Sequence, residues 1–280
     1  MPVQTSLRPV ADTRFAFRGG KHGLSAQHAA RQNHLLAALP PEDYERLLPD
    51  LQPVALPLGW TVHHAGDAEK YLYFITAGIV SRFQVTEKGE SAGFALTGNE
   101  GVIGVASFLS GECTRSEAVV LGAGHAYRLG AELVKNEFKH PSPLRHLLLR
   151  YTQALIAQTG QTAACNRHHS LEQQLCRWIL SSLDRLPSNE LTMTHELIAD
   201  MLGVRRGGVT DTAGKLQEAG LIQYSRGRIA VRDRAQLEAR ACECYAVVKR
   251  EYGRLLHAEN TNGNVGVDGT VRQYRTGTGW

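Results

Sequence analysis

Arg205 and Arg206 open the second half of the segment His195 to Leu216, and their chemistry suits the reading of DNA. A guanidinium is planar and always charged, so Arg206 can grip N7 and O6 of a guanine with two parallel hydrogen bonds. Such a pair gives about 1–3 kcal/mol of discrimination between bases. Asp211, one turn further along, can accept from a cytosine amine or orient Arg205 or Arg206. Thr210 can reach a thymine methyl or a phosphate. Arg205, Lys215, Arg226 and Arg228 supply charge for phosphates, which fixes affinity and register without choosing a sequence. Gly207 and Gly208 cost about 1 kcal/mol each in helix propensity and let a backbone approach the duplex closely.

These side chains need two helices and a tight turn to position them. The spacing predicts a helix-turn-helix. Thr194 caps the first helix and joins the DNA-facing set, and Glu196 lies in the first turn, where the helix dipole favours an anion. Ala199 allows close approach of the second helix, and Gly203 can take the positive φ of the turn. Ile198, Leu202, Val204 and Val209 supply the apolar contacts between the two helices. Downstream, residues 222–233 read as a hairpin turning at Arg226-Gly227, followed by a single helix from Arg234 to Leu256. Upstream, Leu171, Leu175, Trp178, Ile179 and Leu183 mark an amphipathic helix.

The first half of the chain follows a different period. Residues 34–51 read as short helices broken at Pro40-Pro41. From Gln52 to about Leu129, short β-rich runs alternate with turns such as Ala65-Gly66-Asp67 and Lys88-Gly89-Glu90, the pattern of a small barrel or jelly roll. After Pro141 and Pro143, Leu144, Leu147, Leu148, Tyr151 and Leu155, with Gln158 and Thr159, form a stripe of three-and-four spacing. That stripe predicts a long helix with a two-helix dimer seam. The ends, 1–30 and 257–280, carry no apolar period and read as a disordered arm and tail.

The chain has 280 residues and a formal charge of +4, which permits an acidic partner without demanding one. No run approaches the roughly 18 apolar residues of a membrane span, and the N-terminus lacks a signal-peptide core, so a cytoplasmic protein without membrane association is expected. Five cysteines are scattered over Cys113, Cys165, Cys176, Cys242 and Cys244. Cys242-Glu243-Cys244 lacks CxxC spacing and no second pair completes a zinc site, so reduced thiols and no metal are expected. Neither a Ser-His-Asp or Cys-His constellation nor a Walker or dinucleotide glycine motif appears, so no catalytic residues are assigned and the chain is not read as an enzyme.

The order of these elements resembles the Crp/Fnr family of bacterial transcription regulators, over about residues 34–256. His63-His64-Ala65-Gly66-Asp67 followed by LYFITAGIVSRF is similar to the family's roll segment, and LTMTHELIADMLGVRRGGVTDTAGKLQEAGLI aligns without gaps on its helix-turn-helix. The resemblance implies an α+β fold: an N-terminal jelly-roll-like β-roll of the cyclic-nucleotide-binding type over 31–140, a dimerisation helix over 141–168, and a winged helix-turn-helix over 169–256. It also implies a homodimer on a near-palindromic double-stranded site, working with RNA polymerase. The alternative is a ligand-sensing adaptor whose winged domain binds a protein.

The resemblance also places an effector pocket. Cyclic-nucleotide-binding members carry G-E-(L/I)-G and then R-S or R-T, with a helix N-terminus and the Arg taking the phosphate and the Glu taking the ribose. Here Gly101, Val102, Ile103 and Gly104 precede Arg115 and Ser116. Val102 cannot accept the ribose hydrogen bond, a loss of about 1.5–3 kcal/mol. A pocket that does not use cyclic AMP is therefore expected, with no resident cofactor and room for an unidentified small-molecule effector. An iron-sulfur cluster of the family's N-terminal type is not expected, since no cysteine precedes Cys113. In the family's usual base-contacting set, only Arg206 is retained; Gly207 and Asp211 stand where a Glu and a second Arg would be.

Overall fold

The computed structural model describes residues 29–110 and 113–256. The expected arm and tail lie almost wholly outside these residues. The described chain opens with helices α1 (His34–Ala37) and α2 (Pro41–Leu47), then a 3-10 turn, broken at Pro40-Pro41 as the sequence predicts. The roll follows: β1 (Gln52–Leu56), β2 (Thr61–His63), β3 (Tyr71–Val85), β4 (Ser91–Thr97), β5 (Val102–Ile103), the short helix α3 (Ala106–Leu109) and β6 (Glu117–Gly130). All pairings are antiparallel, in the order β1-β6-β3-β4, with β2 also on β6 and β5 on β3. β6 is one long strand of 14 residues, with irregularities in its pairing with β3 around Ile75–Val80. Leu56, Ile75, Val80, Ile103 and Val120 fill the roll.

Helix α4 (Ala131–Lys139) leads to α5 (Pro143–His168), 26 residues long. Pro143 at its start needs no amide partner, and the Ser142 hydroxyl accepts the Arg145 N–H at 3.1 Å. Next come α6 (Leu171–Leu183), opened by a Ser170–Gln173 capping box, β7 (Glu190–Thr192), α7 (His195–Leu202), α8 (Arg206–Glu218), β8 (Ile222–Ser225) and β9 (Arg228–Val231). The last helix expected from the sequence is two: α9 (Arg234–Arg240) and α10 (Cys244–Leu256), parted at Ala241, whose backbone is extended.

The stripe on α5 that suggested a dimer seam is used inside the chain. Leu144, Leu147, Leu148 and Tyr151 are buried against α1, the roll and α10, together with Leu36, Phe74, Tyr252 and Leu255. The sequence pattern was sound for a long helix; α10, folding back along α5, covers the stripe. Helix α5 instead leaves exposed a second ribbon of Leu149, Gln153, Ile156, Gly160 and Ala163.

The winged unit also rests on the roll. Ile79, Phe83, Leu96 and Leu121 share one apolar cluster with Trp178, Ile179, Leu183, Met201 and Leu202. Beside it, Arg185 Nε meets Glu100 Oε1 at 2.7 Å with both side chains largely buried. No described helix is long and apolar enough to cross a membrane.

Candidate nucleic-acid interface and effector pocket

The candidate DNA-facing site begins with the turn. Thr194 caps α7, its hydroxyl accepting the Leu197 N–H at 3.2 Å. Gly203 ends α7 at φ 65°, the left-handed region that favours glycine, and Val204 N–H donates to Ala199 O at 3.0 Å. Helix α8 then buries Val209, Thr212, Ala213 and Leu216, so its opposite face points outward. On that face Arg206, Gly207, Thr210, Asp211 and Lys215 are all exposed, with Arg205 at the N-cap. The wing turns where the sequence places it. Arg226 at φ 48° and Gly227 at φ 76° link Ser225 to its pair Arg228, a two-residue hairpin turn whose positive φ angles give a twist that matches the right-handed twist of the strands. Arg226 and Arg228 are exposed on that wing.

Two residues of this site escaped the sequence reading. His195 stacks on Tyr224 with ring centroids 4.0 Å apart, and its Nδ1 lies 3.0 Å from Thr210 Oγ1. This stack ties the start of α7 to the first wing strand and to the recognition helix. Thr210 also donates to the Arg206 carbonyl at 3.1 Å, so its hydroxyl is held by the protein. Burial, with the nearby Arg206 charge, holds His195 below the usual imidazole range. No local pattern flags such a stack, since Tyr224 lies on a different element.

The effector-pocket residues are placed otherwise. Gly101, Val102 and Gly104 are buried, and Val102 pairs with Phe74 in the sheet. Arg115 is exposed and Ser116 half-buried, its hydroxyl 3.1 Å from Thr114 Oγ1. The buried cation of the roll is Arg82, which the sequence reading passed over. It donates to Thr97 Oγ1 at 2.8 Å and to the Val102 carbonyl at 2.7 Å. Tyr151 of α5 donates to the same carbonyl at 3.0 Å and touches Thr97 Oγ1 at 3.2 Å.

The start of α3, where the resemblance would put a cyclic phosphate, holds a protein carboxyl group, whose pKa burial pushes up. Glu69 Oε2 accepts the Ser107 N–H at 3.2 Å, and the Ala106 amide also bonds to this carboxylate. Glu69 Oε1 lies 3.5 Å from His63 Nδ1, with both side chains buried. Burial, reinforced by the Arg82 charge, pushes His63 down to about 4 and so leaves it neutral at physiological pH.

A second cluster joins cysteines that the sequence reading left as scattered reduced thiols to a histidine to which it gave no role. The break between α9 and α10 brings Cys242 and Cys244 to the C-terminal end of α5, where Cys165 and His169 stand; the four candidate ligand atoms lie within 4.8 Å of one another. The spacing along the chain hides this, because Cys165 and Cys242 are 77 positions apart.

Comparison with known proteins follows the same division. Residues 53–140 match the cyclic nucleotide-binding domain, and residues 173–240 match the Crp-like helix-turn-helix domain. The global nitrogen regulator of Synechococcus elongatus is 27% identical over 184 residues, covering 62% of this chain and 82% of that protein. Its counterpart in Nostoc is 27% identical over 181 residues, covering 61% and 81%. Among solved structures, a Crp/Fnr-family transcriptional regulator from Eubacterium rectale superposes with a TM-score of 0.61 at 18% identity, covering 74% of this chain and 96% of that one. FixK2 from Bradyrhizobium japonicum gives 0.60 at 15% identity, covering 69% and 98%. With both domain models matched in order and the fold shared, the chain belongs to the Crp/Fnr family of transcription regulators.

Proposed function

We propose that the protein is a homodimeric, sequence-specific regulator that reads a near-palindromic DNA site with α8 and does not take cyclic AMP as its effector. The observation that carries the DNA reading is the exposed face of α8, with Arg206, Asp211 and Lys215 on it and Arg205 at its N-cap, together with the exposed Arg226 and Arg228 of the wing. Arg206 reads a guanine and Asp211 a cytosine or its neighbouring arginine, while Arg205, Lys215, Arg226 and Arg228 hold phosphates. Gly207 gives the backbone room against the groove, and Thr194 and Thr210 brace the reading head from its edge.

The dimer uses the ribbon of α5 that the chain leaves open. Leu149 is 43% and Ile156 60% exposed, seven residues apart, with Gln153, Gly160 and Ala163 completing an alternating four-and-three spacing. That is the period of a two-stranded coiled coil, and the small residues let the helices approach. Two copies would present their recognition helices about 34 Å apart, one turn of DNA. The bound regulator would act on RNA polymerase in the cytoplasm, without catalysis of its own.

Glu69 supports the reading that the roll does not use cyclic AMP. A carboxyl group already bonded to the amides of α3 occupies the donors that a phosphate would need in the same place. Any effector must displace this carboxylate or bind elsewhere. Binding of the purified full chain to fragments of genomic DNA tests the proposal. Selective retention of fragments sharing a symmetric motif is expected; uniform, salt-sensitive retention of all fragments would overturn it.

A further inference from the structure

We propose that Cys165, His169, Cys242 and Cys244 form a mononuclear Cys3His site for a zinc-like divalent cation at the joint between the long helix and the winged unit. Cys165 Sγ and Cys242 Sγ are 3.5 Å apart, and Cys244 Sγ lies 3.4 Å from His169 Nδ1. A tetrahedral zinc ion with bonds of about 2.3 Å to sulfur and 2.0–2.1 Å to nitrogen sets ligand atoms about 3.5–3.8 Å apart. All four atoms lie within 4.8 Å of one another, so small side-chain movements close them on one ion. A multinuclear iron-sulfur cluster spreads its ligands over several irons and does not fit so tight a group.

The surroundings are those of a metal centre. Glu243 Oε1 lies 3.4 Å from His169 Nε2, leaving Nδ1 to face the sulfurs, the arrangement in which a carboxylate orients a ligating imidazole. Gln161 Nε2 donates to Cys244 Sγ at 3.0 Å, a bond that favours a thiolate. Arg177 is 8% exposed, makes no ion pair among the described residues, and has an unpartnered Nε. It shares a small cavity with Cys244 and Thr162. A buried cation without a counter-charge is costly. Three thiols that bind a divalent cation release three protons to solvent and leave the centre with a net charge of −1, which offsets Arg177.

The site has a structural consequence. Cys165 and His169 belong to the last turn of α5 and its cap, while Cys242 and Cys244 flank the break before α10. The ion would fasten the start of α10 to the end of α5 and fix the joint from which α6 and the recognition helix extend.

The test uses the reduced full chain. Protein purified from zinc-containing medium is expected to hold about one zinc per chain. After chelation, titration with cobalt should give the intense visible bands of a tetrahedral cobalt thiolate, saturating at one equivalent. Cys242→Ser should abolish those bands, and Cys113→Ser and Cys176→Ser should leave them. Glu243→Gln, at a side chain 70% exposed and therefore safe for folding, should weaken metal affinity about 10–100-fold. Absence of stoichiometric zinc and cobalt from a chain shown by circular dichroism to be folded would overturn the proposal. So would an iron-sulfur chromophore, or equal loss on Cys113→Ser.

Discussion

The ring of Tyr151 lies so close to Gly101 that a β-carbon at Gly101 would stand 2.3 Å from its Cε2. Tyr151 belongs to α5 and Gly101 to the turn entering β5, so this contact joins the long helix to the roll. The Tyr151 hydroxyl then bonds the neighbouring Val102 carbonyl, which Arg82 also holds. Gly101→Ala should therefore force the helix off the roll and cost about 1–3 kcal/mol, because a packed core resists added volume. Tyr151→Phe keeps the ring and loses only the hydroxyl, at about 1 kcal/mol. Urea denaturation ranks the two; a wild-type midpoint for Gly101→Ala would show that the contact is soft.

Arg206→Ala should remove preference for one base pair, a loss of about 1–3 kcal/mol on the specific site with little change on random DNA. Arg226→Ala should weaken both alike and reduce the salt slope by about one. Binding isotherms at several salt concentrations separate these outcomes. Equal losses on both DNAs for Arg206→Ala would remove it from base reading.

Leu149→Glu with Ile156→Glu should convert the proposed dimer into monomers, since the pair would face its own charges across a two-helix seam. Both side chains are already exposed in the single chain, so its fold should persist. Sedimentation gives the mass and circular dichroism the fold. A dimer that survives the double substitution would place the seam elsewhere.

His63 makes stability depend on acid. It faces Glu69, Arg82, Asp67 and His64, and its folded value of about 4 lies below the 6.5 of a free imidazole. Between these values the unfolded chain takes up a proton that the folded chain refuses. Stability from this group is thus full above about pH 6.5 and falls as pH drops towards 4, by at most about 3 kcal/mol. His63→Gln should flatten that part of the profile. Parallel slopes for variant and wild type in urea between pH 7 and pH 4 would contradict it.

Calorimetry with cyclic AMP should show no micromolar binding, because Glu69 holds the α3 amides and Val102 offers no ribose acceptor. Saturable heat at micromolar ligand would mean that the Glu69 carboxylate moves aside.

The parts legible in the sequence are those that local spacing dictates. β3 and β4 lie in the stretch that β-rich runs and their Gly-bearing turns mark, the Thr194 cap and the Gly203 turn follow from side-chain and backbone chemistry, and Arg226-Gly227 makes the hairpin its two residues demand. The recognition helix was legible for the same reason: its buried and exposed faces are written in one short segment. Tertiary structure decided what depends on distant elements meeting. It chose which ribbon of α5 stays open, because α10 returns to cover the other; it put Glu69 at the start of α3, 38 positions away. It also gathered Cys165 and His169 with Cys242 and Cys244, since the break at Ala241 turns the chain back onto α5. Periodicity records which side of an element is apolar, whereas the partner of that side is fixed only when the whole chain closes its core.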